Sequence, residues 1–199
     1  FLAAACAQQP AATEPPATPM PAATSERCGD PTQLSDQLFF YTWVEYIDPA
    51  IKDQFESECG VTIVEDNFDS NETLLAKIQA GGANYDVIVP SDYMVSIMID
   101  EGILEPLDFS VITNIDVYGA GFTHQYFDPE QAYTVPYFFG TSGLAVDTNV
   151  IDEPVASWSM VFEPSPEACG KISMLDDERE TIGAALMYLG HSINDTDPP

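Results

Sequence analysis

An α/β fold is predicted by two observations. Between residues 37 and 102 strand-like and helix-like segments alternate three times, the order of right-handed βαβ units in a largely parallel sheet. The third strand-like segment, Tyr85-Asp86-Val87-Ile88-Val89-Pro90, carries the continuous apolar run of a strand buried in such a sheet. Ligands of these sheets sit beyond the carboxyl ends of the strands, so the residues that end each strand are the candidates for function.

The first strand, 37–42, runs from Leu38-Phe39-Phe40-Tyr41 into Thr42-Trp43-Val44-Glu45-Tyr46. Two large rings with a carboxylate between them suit an organic cation, which needs a π face and an opposite charge. Taken alone, the same residues favour a core strand followed by one solvated Glu. Asp48-Pro49 then opens a helix, as cap and first helical residue, with Ile51, Phe55 and Cys59 on one face and Gly60 at its end. Val61 to Val64 is a second strand. Asp69 with Glu72 has capping-box spacing, Leu74, Leu75 and Ile78 form the apolar face that follows, and Gly81-Gly82 stops this second helix. After the third strand, Ser91 or Asp92 caps a helix through Met98, closed by Gly102. Two strand ends thus carry an aromatic with a polar group: Trp43 to Tyr46, and Ser91 to Tyr93.

Periodicity fades after Leu104, and 105–132 reads as a connecting region. Residues 133–139 and 143–147 read as extended, broken by Gly140-Thr141-Ser142. A second α/β pattern follows: a short helix from Ser157 to Phe162, a strand from Lys171 to Leu175, and a helix from Asp177 to Leu189. That helix is expected to turn Ile182, Ala185, Leu186 and Leu189 inward and to end at Gly190.

The 199 residues hold 5 Lys+Arg against 33 Asp+Glu, a formal net charge of −28. Nucleic acid is excluded as a partner, because its phosphates require a basic footprint. The acidity fits long-range attraction of cations, and equally a surface tuned for solubility or a salty habitat. No Cys/His spacing marks a metal site and no cofactor motif appears. His124 and His191 stand alone and read as structural or solvated.

Phe1-Leu2-Ala3-Ala4-Ala5-Cys6 resembles the end of a bacterial lipoprotein signal, residues 1–5 preceding a Cys6 that would carry lipid. Pro10, Pro15, Pro16, Pro19 and Pro21 among Ala, Thr, Gln and Ser give a stretch unable to bury a core, a tether within residues 6–33. Lipid, tether and folded domain in that order describe a protein anchored to a membrane surface. Both chain ends are expected to be cuts in a longer chain. Cys28, Cys59 and Cys169 permit one intramolecular pair; Cys28 with Cys59 is one choice, and the sequence does not decide it.

Several of these segments together resemble the periplasmic spermidine/putrescine-binding proteins of bacterial ABC importers. They are Tyr41-Thr42-Trp43-Val44-Glu45-Tyr46, Ser70-Asn71-Glu72-Thr73, Tyr85 to Ser91, Val135-Pro136-Tyr137-Phe138-Phe139-Gly140-Thr141 and Leu175-Asp176-Asp177-Glu178-Arg179-Glu180. The resemblance implies a two-lobed α/β periplasmic-binding-protein-like fold. Residues 34–138 would form a nearly complete first lobe, and 139–199 the crossover and a truncated second lobe. It implies a polyamine held between lobes and passed to the permease subunits of an importer, with no catalysis. Trp43, Glu45, Tyr46, Ser91 and Tyr93 match ligand contacts of the first lobe; Asp177 and Glu180 match acidic contacts of the second. Val44 departs from the family, which often has a hydroxyl there, and leaves the choice of polyamine open.

Each site residue also has a plain alternative. Asp177 and Glu180 have capping-box spacing, Ser91 is placed to cap a helix, and Tyr93 to fill a core. The same two-lobe fold accommodates a sugar, an iron complex or another small amine. A carboxylate-dependent hydrolase is the remaining alternative, although Asp176, Asp177 and Glu180 fall within one turn and do not flank a bond.

Overall fold

The computed structural model describes residues 26–30, 32–81, 84–152 and 154–193; Cys6, residues 1–5 and the tether as far as residue 25 lie outside them. The chain divides into two compact units, one taking in residues up to Ser91 together with Asp108–Ile112, the other Asp92–Leu107 and the chain from Thr113 onward.

The first unit is a three-stranded parallel sheet of order β2-β1-β3, with β1 Gln37–Trp43, β2 Thr62–Phe68 and β3 Val87–Ile88. The whole of β1 pairs with β2, from Gln37↔Thr62 to Trp43↔Phe68, whereas β3 adds only Phe40↔Val87 and Tyr41↔Ile88. The third strand is therefore shorter than its apolar run predicts, and Val87 is exposed rather than covered. The chain crosses from one side of β1 to the other between β2 and β3. That places the topological switch of the sheet at the ends of β1 and β3, where open α/β sheets form ligand crevices.

Helix α1, Pro49–Cys59, starts as its sequence dictates. Asp48 accepts the Ala50 N–H, Pro49 occupies the first helical position, and Gly60 closes the helix at φ 69°. Its expected apolar face is not buried, however: Ile51 and Phe55 are both exposed. Helix α2, Asn71–Gln79, is capped by Ser70, which accepts the Thr73 N–H. The cap thus lies one residue after the expected Asp69, because Ser70 takes up the extended backbone that a cap needs. Leu74 is fully buried and, with Tyr41, Val61 and Phe68, belongs to the core of this unit. Ahead of the sheet, Glu26–Cys28 makes one 3₁₀ turn, fixed to the end of α1 by a Cys28–Cys59 disulfide across 31 residues. Cys169 stays free and exposed.

The second unit holds α3 (Asp92–Asp100), α4 (Ser159–Phe162) and α5 (Glu178–Tyr188). Helix α3 buries Met94, Val95 and Met98. Neither 133–139, 143–147 nor Lys171–Leu175 belongs to a strand. For the last of these the structure corrects the sequence reading: the segment is exposed along its length and pairs with no strand among the described residues. Helix α5 is also rotated from expectation. Gly183 and Ala184 are buried, while Ile182 is 60% and Leu189 66% exposed. Small residues carry the contact there, since a Cβ on Gly183 would come within 3.3 Å of the Ile193 side chain.

The connecting region 105–132 contains an order that no periodicity shows. Asp128 is buried and its carboxylate accepts the N–H groups of Ala132, Tyr133 and Thr134 and the Thr134 hydroxyl, each at 2.9 Å. Gln131 accepts from the His124 N–H and donates to the Thr134 carbonyl. His124 and Gln131 adopt φ of 53° and 54°, strained values that this hydrogen-bond network holds in place. His124 is thereby structural, its ring against the Pro129 carbonyl.

Candidate ligand-binding site

Strand β1 is the inner strand of the sheet, and it delivers its last residue to a fixed place. Trp43 is half-buried, with its ring 4.5 Å from the buried ring of Phe68 on β2. Asn67 secures that strand end from the side, its amide donating to the Thr42 and Trp43 carbonyls at 3.3 Å and to Glu65 at 2.9 Å. The chain then turns. Val44 is 62% exposed, Glu45 is exposed, and Tyr46 returns its ring to 6.4 Å from Trp43 with a tilt of 51°. Glu45 has φ 58°, in the left-handed region that a residue with a Cβ enters at a cost of about 1–2 kcal/mol. The turn therefore presents two tilted rings and a solvent-facing carboxylate from a rigid strand end.

The neighbouring strand end is Ser91. Tyr41 pairs with Ile88, so Val44 and Ser91 each stand three residues beyond paired positions on adjacent strands. Ser91 is half-buried and bound twice by Asn71: its N–H donates to the Asn71 Oδ1 at 2.9 Å, and the Asn71 amide donates to its Oγ at 3.1 Å. Asn71 is 1% exposed.

A second arrangement of rings and acid lies within the first unit and is already filled. The Lys77 ammonium sits 4.7 Å from the Tyr41 ring centroid, and Tyr41 stacks on Tyr85 at 4.3 Å. Asp66 accepts from Lys77 at 2.5 Å and from the Tyr85 hydroxyl. The hydrogen bond from Lys77, then that from Tyr85, hold the Asp66 carboxyl below its ordinary range. The chain thus shows, with its own lysine, what its aromatic and acidic residues do for an ammonium group.

The second unit holds the other predicted residues in two places. Tyr93, half-buried at the start of α3, has the Arg179 guanidinium 4.8 Å over its ring. Beside it Tyr126 donates to Asp92 at 2.7 Å; burial first, and then this bond, push the Tyr126 hydroxyl up to about 12. At α5, Asp177 is the N-cap and accepts the Glu180 N–H at 2.9 Å, while the Glu180 carboxylate is bonded to the Ser142 hydroxyl. Half of the expected capping box therefore forms: Glu180 does not return to the Asp177 backbone but reaches Ser142. A separate cleft of about 200 Å³ lined by Tyr118, Phe122 and Pro136–Phe139 includes none of the predicted residues.

Asn67, Asn71 and Asp128 escaped the sequence reading. Each is a polar residue that bonds backbone, and only Asn71 left a trace, inside the Ser70–Thr73 segment. Among the described residues no group of three His, Cys, Asp or Glu could hold a metal, and no helix is long and apolar enough to cross a membrane.

The parallel sheet of order β2-β1-β3 with its helices is an α/β architecture, and the chain belongs to the bacterial extracellular solute-binding protein family, whose model matches residues 50–199. It is similar to the putrescine/cadaverine-binding protein of Pseudomonas aeruginosa, 36% identical over 169 residues, which are 82% of this chain and 48% of that protein. The spermidine/putrescine-binding periplasmic protein of Escherichia coli K12 is 36% identical over 167 residues, 82% of this chain and 47% of that one. Among solved structures, a putative spermidine/putrescine ABC transporter protein from Listeria monocytogenes superposes with a TM-score of 0.76 at 38% identity, covering 82% of this chain and 50% of that one. The TpPotD lipoprotein of Treponema pallidum gives 0.74 at 35% identity, covering 81% and 50%. The chain spans about half the length of the relatives it matches. Its α/β fold is that of periplasmic solute-binding proteins.

Proposed function

We propose that the chain is part of a solute-binding lipoprotein that captures a polyamine, putrescine or spermidine, outside the cytoplasm and delivers it to the permease subunits of an ABC importer. The observation that carries this reading is the rim at the end of β1, where the Trp43 and Tyr46 rings lie 6.4 Å apart with Glu45 between them in sequence. The relatives named above, a putrescine/cadaverine-binding and a spermidine/putrescine-binding protein, support it. Trp43, Glu45, Tyr46, Ser91, Tyr93, Asp177 and Glu180 are the proposed ligand contacts. The protein is not an enzyme in this reading. Cys6 carries the lipid, residues 6–33 the tether, which Cys28 ties to α1 near its end, 34–138 the first lobe, and 139–199 the crossover and the start of the second.

A polyamine carries ammonium groups spaced along apolar linkers. A desolvated cation–π contact contributes about 2 kcal/mol, and a charge-assisted hydrogen bond about 1.5–3 kcal/mol. A few such contacts reach micromolar affinity, about 8 kcal/mol, after ordering costs. Val44 offers a methyl surface where a hydroxyl would serve an ammonium, which suits a methylene linker. Calorimetric titration of the full-length protein with putrescine, spermidine and a neutral sugar tests the reading. Saturable heat with a polyamine alone is expected; saturable heat with the sugar and none with either polyamine would refute it.

A further inference from the structure

We propose that Asn71 is a positioning residue, which fixes how the Ser91 hydroxyl meets a bound ammonium group. The inference rests on the polyamine reading above and deepens it at one position. Asn71 opens α2, one residue after its Ser70 cap, and is 1% exposed. Its amide meets Ser91 across 20 residues of chain by two hydrogen bonds.

The chemistry of these two bonds is directional. A backbone N–H has only a proton to give, so the Ser91 N–H at 2.9 Å must face the Asn71 oxygen. That settles which way the amide is turned, and its NH₂ group then faces the Ser91 Oγ at 3.1 Å. Oγ is left as an acceptor toward Asn71. Of its two lone pairs one is occupied, its own proton is directed away from Asn71, and one lone pair remains for a single ligand N–H. A serine lacking this partner would rotate and present donor or acceptor indifferently. A buried amide costs free energy unless its bonds are made, and here they are spent on a strand-end residue beside the cation rim.

Calorimetric titration of the full-length protein with putrescine and spermidine tests this, using wild type, Asn71→Ala, Ser91→Ala and the double variant, with a thermal melt of each. Asn71→Ala is expected to weaken binding about five-fold when Ser91 is present. In the Ser91→Ala background its effect should fall below about two-fold, since the residue acts through that hydroxyl. Equal weakening in both backgrounds, or a lowered melting temperature with affinity unchanged, would overturn the assignment while leaving the polyamine reading intact. A wild type that binds neither polyamine would overturn both. If Asn71→Ala does not fold, the wild type supplies the answer by NMR. The Asn71 side-chain amide signals are expected to shift on saturation with putrescine, and signals that stay in place would contradict the proposal.

Discussion

Two regions of this chain carry the acidic groups proposed as ligand contacts, and they hold them differently. At the end of β1 the placement is made by the sheet: Trp43 rests on Phe68, Asn67 grips the strand end, and the exposed Glu45 is kept at φ 58°. At the start of α5 the acids have local duties, Asp177 as the helix cap and Glu180 as partner of Ser142. Glu45 occupies a conformation that costs stability, whereas Asp177 contributes stability where it stands. The difference teaches that the same residue types can be set up at the fold's expense or as part of its construction, and that mutation separates the two.

The units differ in the same sense. A disulfide and a sheet hold the first; the second has no strand among its described residues and adds to its buried helix faces the backbone-binding carboxylate of Asp128. The largest expected effect is therefore on the first unit. Closing a loop of 31 residues restricts the unfolded chain enough to contribute about 3–4 kcal/mol. A Cys28→Ser, Cys59→Ser variant should lower the melting temperature strongly and should raise hydrogen exchange in β1 and β2 but not in α5. Uniform loss of protection in both units would break the contrast.

Next is Asp128. Burial raises its carboxyl pKa, but the hydrogen bonds from Tyr133, Ala132 and Thr134 outweigh burial and hold it below the ordinary value of 3.8. The sign follows from linkage: with a depressed folded pKa, its contribution is complete above about pH 4 and is lost as pH falls through the folded value. Asp128→Ala should cost about 2–3 kcal/mol at pH 7, because buried N–H groups lose their acceptor. It should also flatten the acid side of the stability curve. A curve as steep as that of wild type would show that Asp128 does not drive the acid transition.

At α5 a smaller effect divides cap from charge. Asp177→Ala should destabilise by about 1 kcal/mol through loss of the cap. Asp177→Ser keeps a capping oxygen, so it should restore most of that stability while polyamine affinity stays reduced. If serine restores affinity as well, Asp177 is a cap alone and its assignment as a ligand contact fails.

Much of the first unit was legible because its signals are local. Asp48-Pro49, Gly60 and Gly81 mark helix ends by backbone requirements that the residue types meet. The second unit was harder to read. Helix α5 packs through Gly183 and Ala184, so apolar periodicity pointed at Ile182 and Leu189, which face solvent. Lys171–Leu175 has strand composition, but a strand exists only where a partner takes its hydrogen bonds. The Asp128 network is invisible to periodicity, since a carboxylate gathering backbone N–H groups needs no repeat. At the rim, the residues taken alone favoured a core strand with one solvated Glu, and only the family resemblance singled out Trp43, Glu45 and Tyr46; the Asn71–Ser91 pair, joined across 20 residues, left no periodic signal.

The central claim is that the end of β1 sacrifices stability to present Glu45 beside Trp43 and Tyr46. It is tested most directly by Glu45→Asn in the full-length protein, melted and titrated with putrescine in parallel. Asparagine enters the left-handed region more readily than glutamate and carries no charge. The account predicts a variant about 0.5–1 kcal/mol more stable that binds at least about ten-fold more weakly, an ionic hydrogen bond having been removed. A variant that binds putrescine as tightly as wild type would contradict it.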